Sequence, residues 1–225
     1  MPAIAALSEP LSAPVSPLVR PRGRPRKTLQ DRDDGNRRAA LLATAAALFR
    51  SQGFAATTTR DIAAAAGMQS GSPFYHFKSK DALLFAVMKE GMRAALARQQ
   101  TTLQQLAGQP PLAQLRGLVQ THFAVLLGPD SDFIPVMLYE SRALNKVQRA
   151  ELAALQSQYE ALWVPVLTAL HASGALRAPV GLARLLILGA LNWSVQWFDP
   201  HKAASLDDLT EAALALFVGP GAPAS

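Results

Sequence analysis

The chain has 225 residues, half of them hydrophobic, and no cysteine, which excludes wholesale disorder, disulfide frameworks, thiolate zinc sites, iron–sulfur clusters and cysteine nucleophiles. The length permits one large domain or two small ones, and the missing thiols fit a reducing, cytoplasmic setting. The net charge of +6 falls wholly in residues 1–90, with 13 Lys/Arg against 7 Asp/Glu, whereas residues 91–225 carry 9 of each, so one part is suited to a polyanion and the other is not.

Residues 1–36 read as a disordered, basic, Pro-rich arm. Pro2, Pro10, Pro14, Pro17, Pro21 and Pro25 interrupt any helix, and no apolar period survives. The start lacks the basic and apolar regions of a secretory signal. Helical periodicity begins near Asn36, with Leu42, Ala45, Ala46 and Phe49 on one face, and Gly53 closes that helix. Thr58, three residues before Asp61, predicts a capping box for a short second helix over 59–66 that buries Ile62 and ends at Gly67. A third short segment spans about 70–76. Ser79 caps a longer helix with Ala82, Leu83, Ala86, Val87 and Met92 on its buried side.

The remainder also reads as helical. Pro110–Pro111 opens a helix through Leu127, and Gly128–Pro129 breaks it. Segments over 133–144, 146–171 (kinked by Pro165), 179–198 and 205–218 follow, the last opened by Ser205 with Asp208. No alternating strand pattern or internal repeat is present, so the class is all-α with about nine helices. Residues 180–198 approach the length of a membrane span with one formal charge. Arg184 in mid-segment, Asn192 and Gln196 argue against lipid, and a helix apolar all round is also expected at the centre of a soluble oligomer.

A short helix, a glycine turn and a second short helix form the arrangement of a DNA-binding helix-turn-helix. The second helix would present Gln69, Ser70, Ser72, Tyr75 and His76, with Ser70, Gly71 and Ser72 small enough for close approach to DNA. The run Thr57-Thr58-Thr59-Arg60-Asp61-Ile62-Ala63, then Ala66-Gly67, Phe74-Tyr75-His76-Phe77 and Lys78-Ser79-Lys80-Asp81-Ala82-Leu83 resembles the TetR family of transcriptional repressors. The resemblance covers about 45 residues, Arg38 to Leu83. It implies a helix-turn-helix DNA-binding domain over 37–83, running into the fourth helix, and an effector-binding and dimerisation domain over 84–225.

By that resemblance Tyr75 and His76 would touch phosphates or base edges and Lys80 a phosphate. Thr58 and Thr59 would place hydroxyls or N–H groups against phosphate at a helix start, and Ser70 and Ser72 would face bases. Two departures fall on the recognition helix. Gln69 stands where many members have a capping Ser, and Pro73 where leucine is common. In the arm, Arg22, Arg24 and Arg26 lie in a Pro-Arg-Gly-Arg-Pro-Arg-Lys run that contains the core of AT-hook peptides. It could follow a narrow A·T minor groove, or serve as a solvated basic tail.

The resemblance also implies a dimer through the last two helices, for which Leu182, Leu186, Gly189, Trp197, Leu209, Ala213 and Leu216 are the candidates; an ordinary intramolecular core is the other reading. Candidates for an effector pocket are His122, Phe123, Phe133, Met137, Tyr139, Trp163, Asn192, Trp193 and Gln196, most of which could equally be core. Glu140 and Arg142 could form a salt bridge. The phrase from Gly189 to Pro200, followed by Ser205-Leu206, is similar to TetR-type regulators of lipid and steroid breakdown, some of which sense acyl-CoA thioesters. A neutral half gives no strong field for a CoA phosphate, so a neutral or amphipathic effector fits equally.

No catalytic or metal constellation is found, since His76, His122, His171 and His201 have no close metal spacing and no Gly-x-Ser-x-Gly elbow occurs. No cofactor is expected. The expected function is a homodimeric TetR-type repressor on an inverted-repeat operator, released by a small hydrophobic or acyl-type effector. The alternative is an architectural A·T-rich DNA-binding protein without an effector.

Overall fold

The computed structural model describes residues 29–68, 77–128, 131–199, 201–202 and 204–219, with residues 29–34 described as backbone only. The expected arm residues 1–28 and the third short segment lie outside the described residues. Nine α-helices and two 3₁₀ turns occur among those described, with no strand. They are α1 (Leu29–Gln52), α2 (Thr59–Ala65), α3 (Lys80–Gln105), α4 (Pro111–Leu127), α5 (Phe133–Glu140), α6 (Lys146–Ala161), α7 (Trp163–Ala172), α8 (Val180–Trp193) and α9 (Leu206–Phe217). The 3₁₀ turns cover Ser141–Ala143 and Ser194–Gln196.

Capping chemistry sets most boundaries. Thr58 Oγ1 accepts from the Asp61 N–H at 3.1 Å, while the Asp61 carboxylate accepts from the Thr58 N–H at 2.9 Å. The Ser205–Asp208 pair repeats this reciprocal geometry at α9, and Ser79 accepts from the Ala82 N–H at 3.1 Å to open α3. Each such cap contributes about 1 kcal/mol. Gly53 ends α1 at φ 82°, a conformation that a side chain would strain.

Three boundaries differ from expectation. Helix α1 begins at Leu29, inside the segment 1–36 expected to be disordered. Pro25 is the last proline before it, and residues 35–40 are exposed or half-buried. A polar turn has no apolar period to announce it, although nothing there breaks the helix. The stretch 146–171 forms two helices meeting at Leu162, because Pro165 offers no N–H to the Ala161 carbonyl. The stretch 179–198 ends its α-helix at Trp193 and closes in the second 3₁₀ turn. No helix of the described residues is long and apolar enough to cross a membrane.

Helix α3 is the central strut. It packs on α1, α4, α5 and α6, while α4 carries α7, α8 and α9 on its other sides. Phe49, Ile62, Leu84, Met88, Leu118, Phe123, Trp163 and Leu167 are fully buried along this axis. Burying each contributes about 1.5–3 kcal/mol. Gly91 of α3 meets α5 closely: a Cβ built there would lie 2.4 Å from Phe133 Cβ. The absence of a side chain at Gly91 sets the depth at which α5 lies against α3.

Candidate functional site

The N-terminal head is tied together by polar groups that the sequence suggested for DNA. The Lys80 ammonium donates to the carbonyls of Phe54 at 2.8 Å and Thr57 at 2.9 Å, and sits 4.3 Å from the Phe54 ring centre. Lys80 is therefore directed inward onto the α1–α2 turn in this structure, whereas the resemblance implies a phosphate contact. The carbonyls that follow Gly53 have no helical partner, and a long cation reaches them from α3. Thr58 is also committed, with its hydroxyl donating to the Asp61 carboxylate at 2.6 Å and its N–H to the same group. The Thr58 hydroxyl and N–H hold the Asp61 carboxyl below the usual carboxylate range. Thr59 is half-buried at the first position of α2, while Arg60 and Lys78 are exposed cations on this head that the motif reading passed over. Arg22, Arg24, Arg26, Gln69, Ser70, Ser72, Tyr75 and His76 lie outside the described residues.

A cavity of about 420 Å³ lies between α3, α4, α5, α6 and α8. Its walls are mainly apolar, with Met92, Leu126, Met137, Leu144, Leu152 and Leu188 among them, and polar side chains from α4, α6 and α8 interrupt them. Of the nine expected pocket residues, His122, Met137 and Asn192 line it. Phe123 and Trp163 are instead wholly enclosed in the core, and Phe133 packs on Gly91. Tyr139, Trp193 and Gln196 face outward, with Gln196 Nε2 donating to the Tyr139 hydroxyl. Helical spacing alone does not tell an inward aromatic from an outward one.

More of the missed residues come from α6 than from any other helix. Arg149, Leu152, Ala153, Gln156 and Glu160 form one stripe along the cavity, and Tyr159 joins it from beside that stripe. They share a helical face, but an apolar period does not single out polar side chains such as Arg149, Gln156 and Glu160. Each is held: Arg149 donates to the Leu144 carbonyl, Gln156 to Glu160 at 3.0 Å, and Glu160 pairs with Arg184 of α8. At the deep wall, His122 Nδ1 lies 2.8 Å from the Tyr159 hydroxyl, which also receives the Gln99 amide at 2.8 Å. Burial pushes the His122 imidazole down to about 4, and the Asn192 side chain opposes that shift. Burial likewise pushes the Tyr159 phenol up, against the effect of Gln99.

Helix α5 joins the cavity to the head. Ile134, Met137 and Leu138 line the cavity from this helix. At its two ends, the Glu140 carboxylate accepts the Phe54 N–H at 2.9 Å and Asp132 pairs with Arg50 of α1 at 2.8 Å. Glu140 is thus bound to the α1–α2 turn and not to Arg142, which is exposed on the 3₁₀ turn.

Outside the cavity, α8 and α9 leave an apolar face uncovered. Leu182, Leu186, Trp193, Trp197 and Leu216 are more than half exposed, reaching 82% at Leu216. Gly181 and Gly189 have open space where a Cβ would stand. Of the other expected members of this face, one is covered and one is partly covered. Ala213 is buried and Leu209 half-buried within the chain, because that side of α9 packs on α4.

Comparison with known proteins agrees with this architecture. Residues 41–87 match the family model described as bacterial regulatory proteins, tetR family, and residues 108–219 the model of a tetracyclin repressor-like C-terminal domain. The HTH-type transcriptional repressor KstR2 of Mycolicibacterium smegmatis is 30% identical over 82% of this chain and 90% of its own length. Among solved structures, a TetR-family transcriptional regulator from Bordetella parapertussis superposes with a TM-score of 0.71 at 29% identity, covering 81% of this chain and 94% of that one. A protein named as the superantigen PfiT superposes at 0.68 with 37% identity, covering 81% and 96%. An all-helical chain with a helix-turn-helix head and a separate C-terminal helical body is the build of a one-component DNA-binding regulator. This chain belongs to the TetR family of bacterial regulatory proteins, a family of DNA-binding transcription regulators and not of enzymes.

Proposed function

We propose that the chain is a cytoplasmic, homodimeric repressor that binds an inverted-repeat operator and is released by a small hydrophobic or acyl-type effector entering the α3–α8 cavity. One observation carries this reading. The same helix, α5, lines the cavity through Met137 and Leu138 and is bonded at both ends to the DNA-binding head, through Glu140–Phe54 and Asp132–Arg50. A ligand that displaces α5 changes the α1–α2 turn directly. Release requires that it bind the displaced arrangement better than the operator-competent one. The uncovered α8–α9 face supports the dimer, and a two-fold dimer reads a two-fold operator. Domain limits of 37–83 for the head and 84–225 for the sensor fit α3 as the strut between them. An architectural protein without an effector has no need of a cavity wired to its head in this way.

The test is capture of sheared genomic DNA by the full chain at near-physiological salt, followed by sequencing. Recovery of a few sites that share an inverted repeat supports the reading. Recovery of A·T-rich DNA without a shared repeat moves the architectural alternative ahead, with the basic arm as the binding element. On a captured site, Glu140→Gln should weaken the link to Phe54 and shift the effector concentration needed for release severalfold.

A further inference from the structure

The deep wall of the cavity holds a hydrogen-bond chain whose proton positions follow from its geometry. Gln99 is fully buried, and its Nε2 donates to the Leu118 carbonyl at 2.9 Å and to the Tyr159 hydroxyl at 2.8 Å. A carbonyl has no proton to give, so Leu118 fixes which end of the amide faces it. Tyr159 therefore accepts from Gln99, and its own proton goes to the other neighbour, His122 Nδ1, at 2.8 Å. Nδ1 is then the acceptor of the ring, and Nε2 carries the N–H. That Nε2 is buried and has no partner at hydrogen-bond distance among the described residues, and the Asn192 side chain is the polar group that acts on the ring. His122 and Asn192 both line the cavity.

We infer that the His122 Nε2–H, beside the Asn192 amide, reads an uncharged hydrogen-bond acceptor on the effector, the oxygen of a ketone, ester or thioester carbonyl, and selects against a carboxylate at this end. This rests on the effector reading above and adds the chemical class. Three features favour it. An unpaired buried donor is costly, and an acceptor from the ligand removes that penalty. The imidazole is neutral, so it offers a dipole and not a cation. The nearest charges cannot serve a carboxylate. Glu160 follows Tyr159 directly on the cavity wall and is itself an anion, paired with Arg184. Arg149 stands ten residues before Tyr159 on α6, about 15 Å along the helix axis at 1.5 Å per residue. A carboxylate at the deep wall would lose its water without a counter-ion, whereas a carbonyl gains its one required donor.

The experiment titrates the full chain with acetophenone, ethylbenzene and benzoate, three probes of similar shape that differ at one group. Acetophenone should bind about fivefold tighter than ethylbenzene, which corresponds to one net hydrogen bond of about 1 kcal/mol, and benzoate should be the weakest. His122→Phe should erase the ketone's advantage while leaving ethylbenzene within twofold. A second measurement does not depend on the folding of that variant. Ring-nitrogen NMR of the wild type should show His122 as the Nε2–H tautomer, with that nitrogen shifted by acetophenone and not by ethylbenzene. An Nδ1–H tautomer overturns the inference. Equal binding of ketone and hydrocarbon also overturns it while leaving the effector reading intact, and failure of all three probes to bind overturns both.

Discussion

Replacing Lys80 by methionine separates two roles that sequence and structure assign differently. The motif places this residue at a phosphate, whereas its ammonium is bonded to the carbonyls of Phe54 and Thr57 and lies 4.3 Å from the Phe54 ring centre. Methionine keeps the aliphatic stem and removes the three donors. Hydrogen bonds from a charged donor contribute about 1.5–3 kcal/mol, but these carbonyls are partly exposed and water can replace part of the loss. The ring contact adds about 0.5–1 kcal/mol. A net destabilisation of about 2 kcal/mol is expected, read as a lower urea midpoint at unchanged slope. Binding to a random-sequence duplex should keep the wild-type dependence of log K on log salt, since no phosphate contact is lost. The opposite pattern, with stability within ~0.5 kcal/mol of wild type and a salt slope reduced by about 1, would place the ammonium on DNA and refute the inward assignment.

Three further outcomes follow from the packing. Gly91→Ala gains about 1 kcal/mol of helix propensity but sets a methyl 2.4 Å from Phe133 Cβ, which is anchored to the α5 backbone and cannot swing aside. Overpacking costs about 1–3 kcal/mol, so thermal unfolding should show a net loss, and an unchanged or raised Tm would mean that α5 is not held at this depth. His122 stays neutral in the folded chain down to a pKa of about 4, against an ordinary 6.5, so between those values the unfolded chain binds the extra proton and stability falls as pH falls. The full effect is about 3 kcal/mol, complete below pH 4. Urea midpoints between pH 7 and 4 should show it and lose it in His122→Phe; identical profiles for the two proteins would remove the assignment. The lowered Asp61 and Asp208 carboxyls act in a separate window, since their contribution is present above the ordinary 3.8 and is lost as pH falls below it. Finally, the double variant Leu186→Glu with Leu216→Glu places like charges on the uncovered α8–α9 face. Sedimentation velocity should show a dimer for the wild type and a monomer for the double variant at the same concentration, and an unshifted dimer would move the interface elsewhere.

Much of this protein is determined locally and could be taken from the sequence. Caps at Thr58, Ser79 and Ser205 act within three residues, so they fixed three helix starts without tertiary information. The stripe Leu42, Ala45, Ala46 and Phe49 is buried as its period required, and the spaced motif from Arg38 to Leu83 marked the head. The cavity was only partly legible. His122, Met137 and Asn192 belong to it, but Phe123, Phe133 and Trp163 went to packing and Tyr139, Trp193 and Gln196 to the outer surface. A helical period states which residues share a face and not which neighbour covers that face. That decision fell to the tertiary structure. It turned the polar stripe of α6 toward the cavity, covered Ala213 with α4 while leaving Leu216 bare, and brought Glu140 across 86 residues of sequence to the Phe54 N–H. It also turned Lys80 from the solvent onto backbone carbonyls. Local chemistry sets where helices begin and end, but the partner of a long side chain is chosen by whichever unpaired group the packing brings within reach.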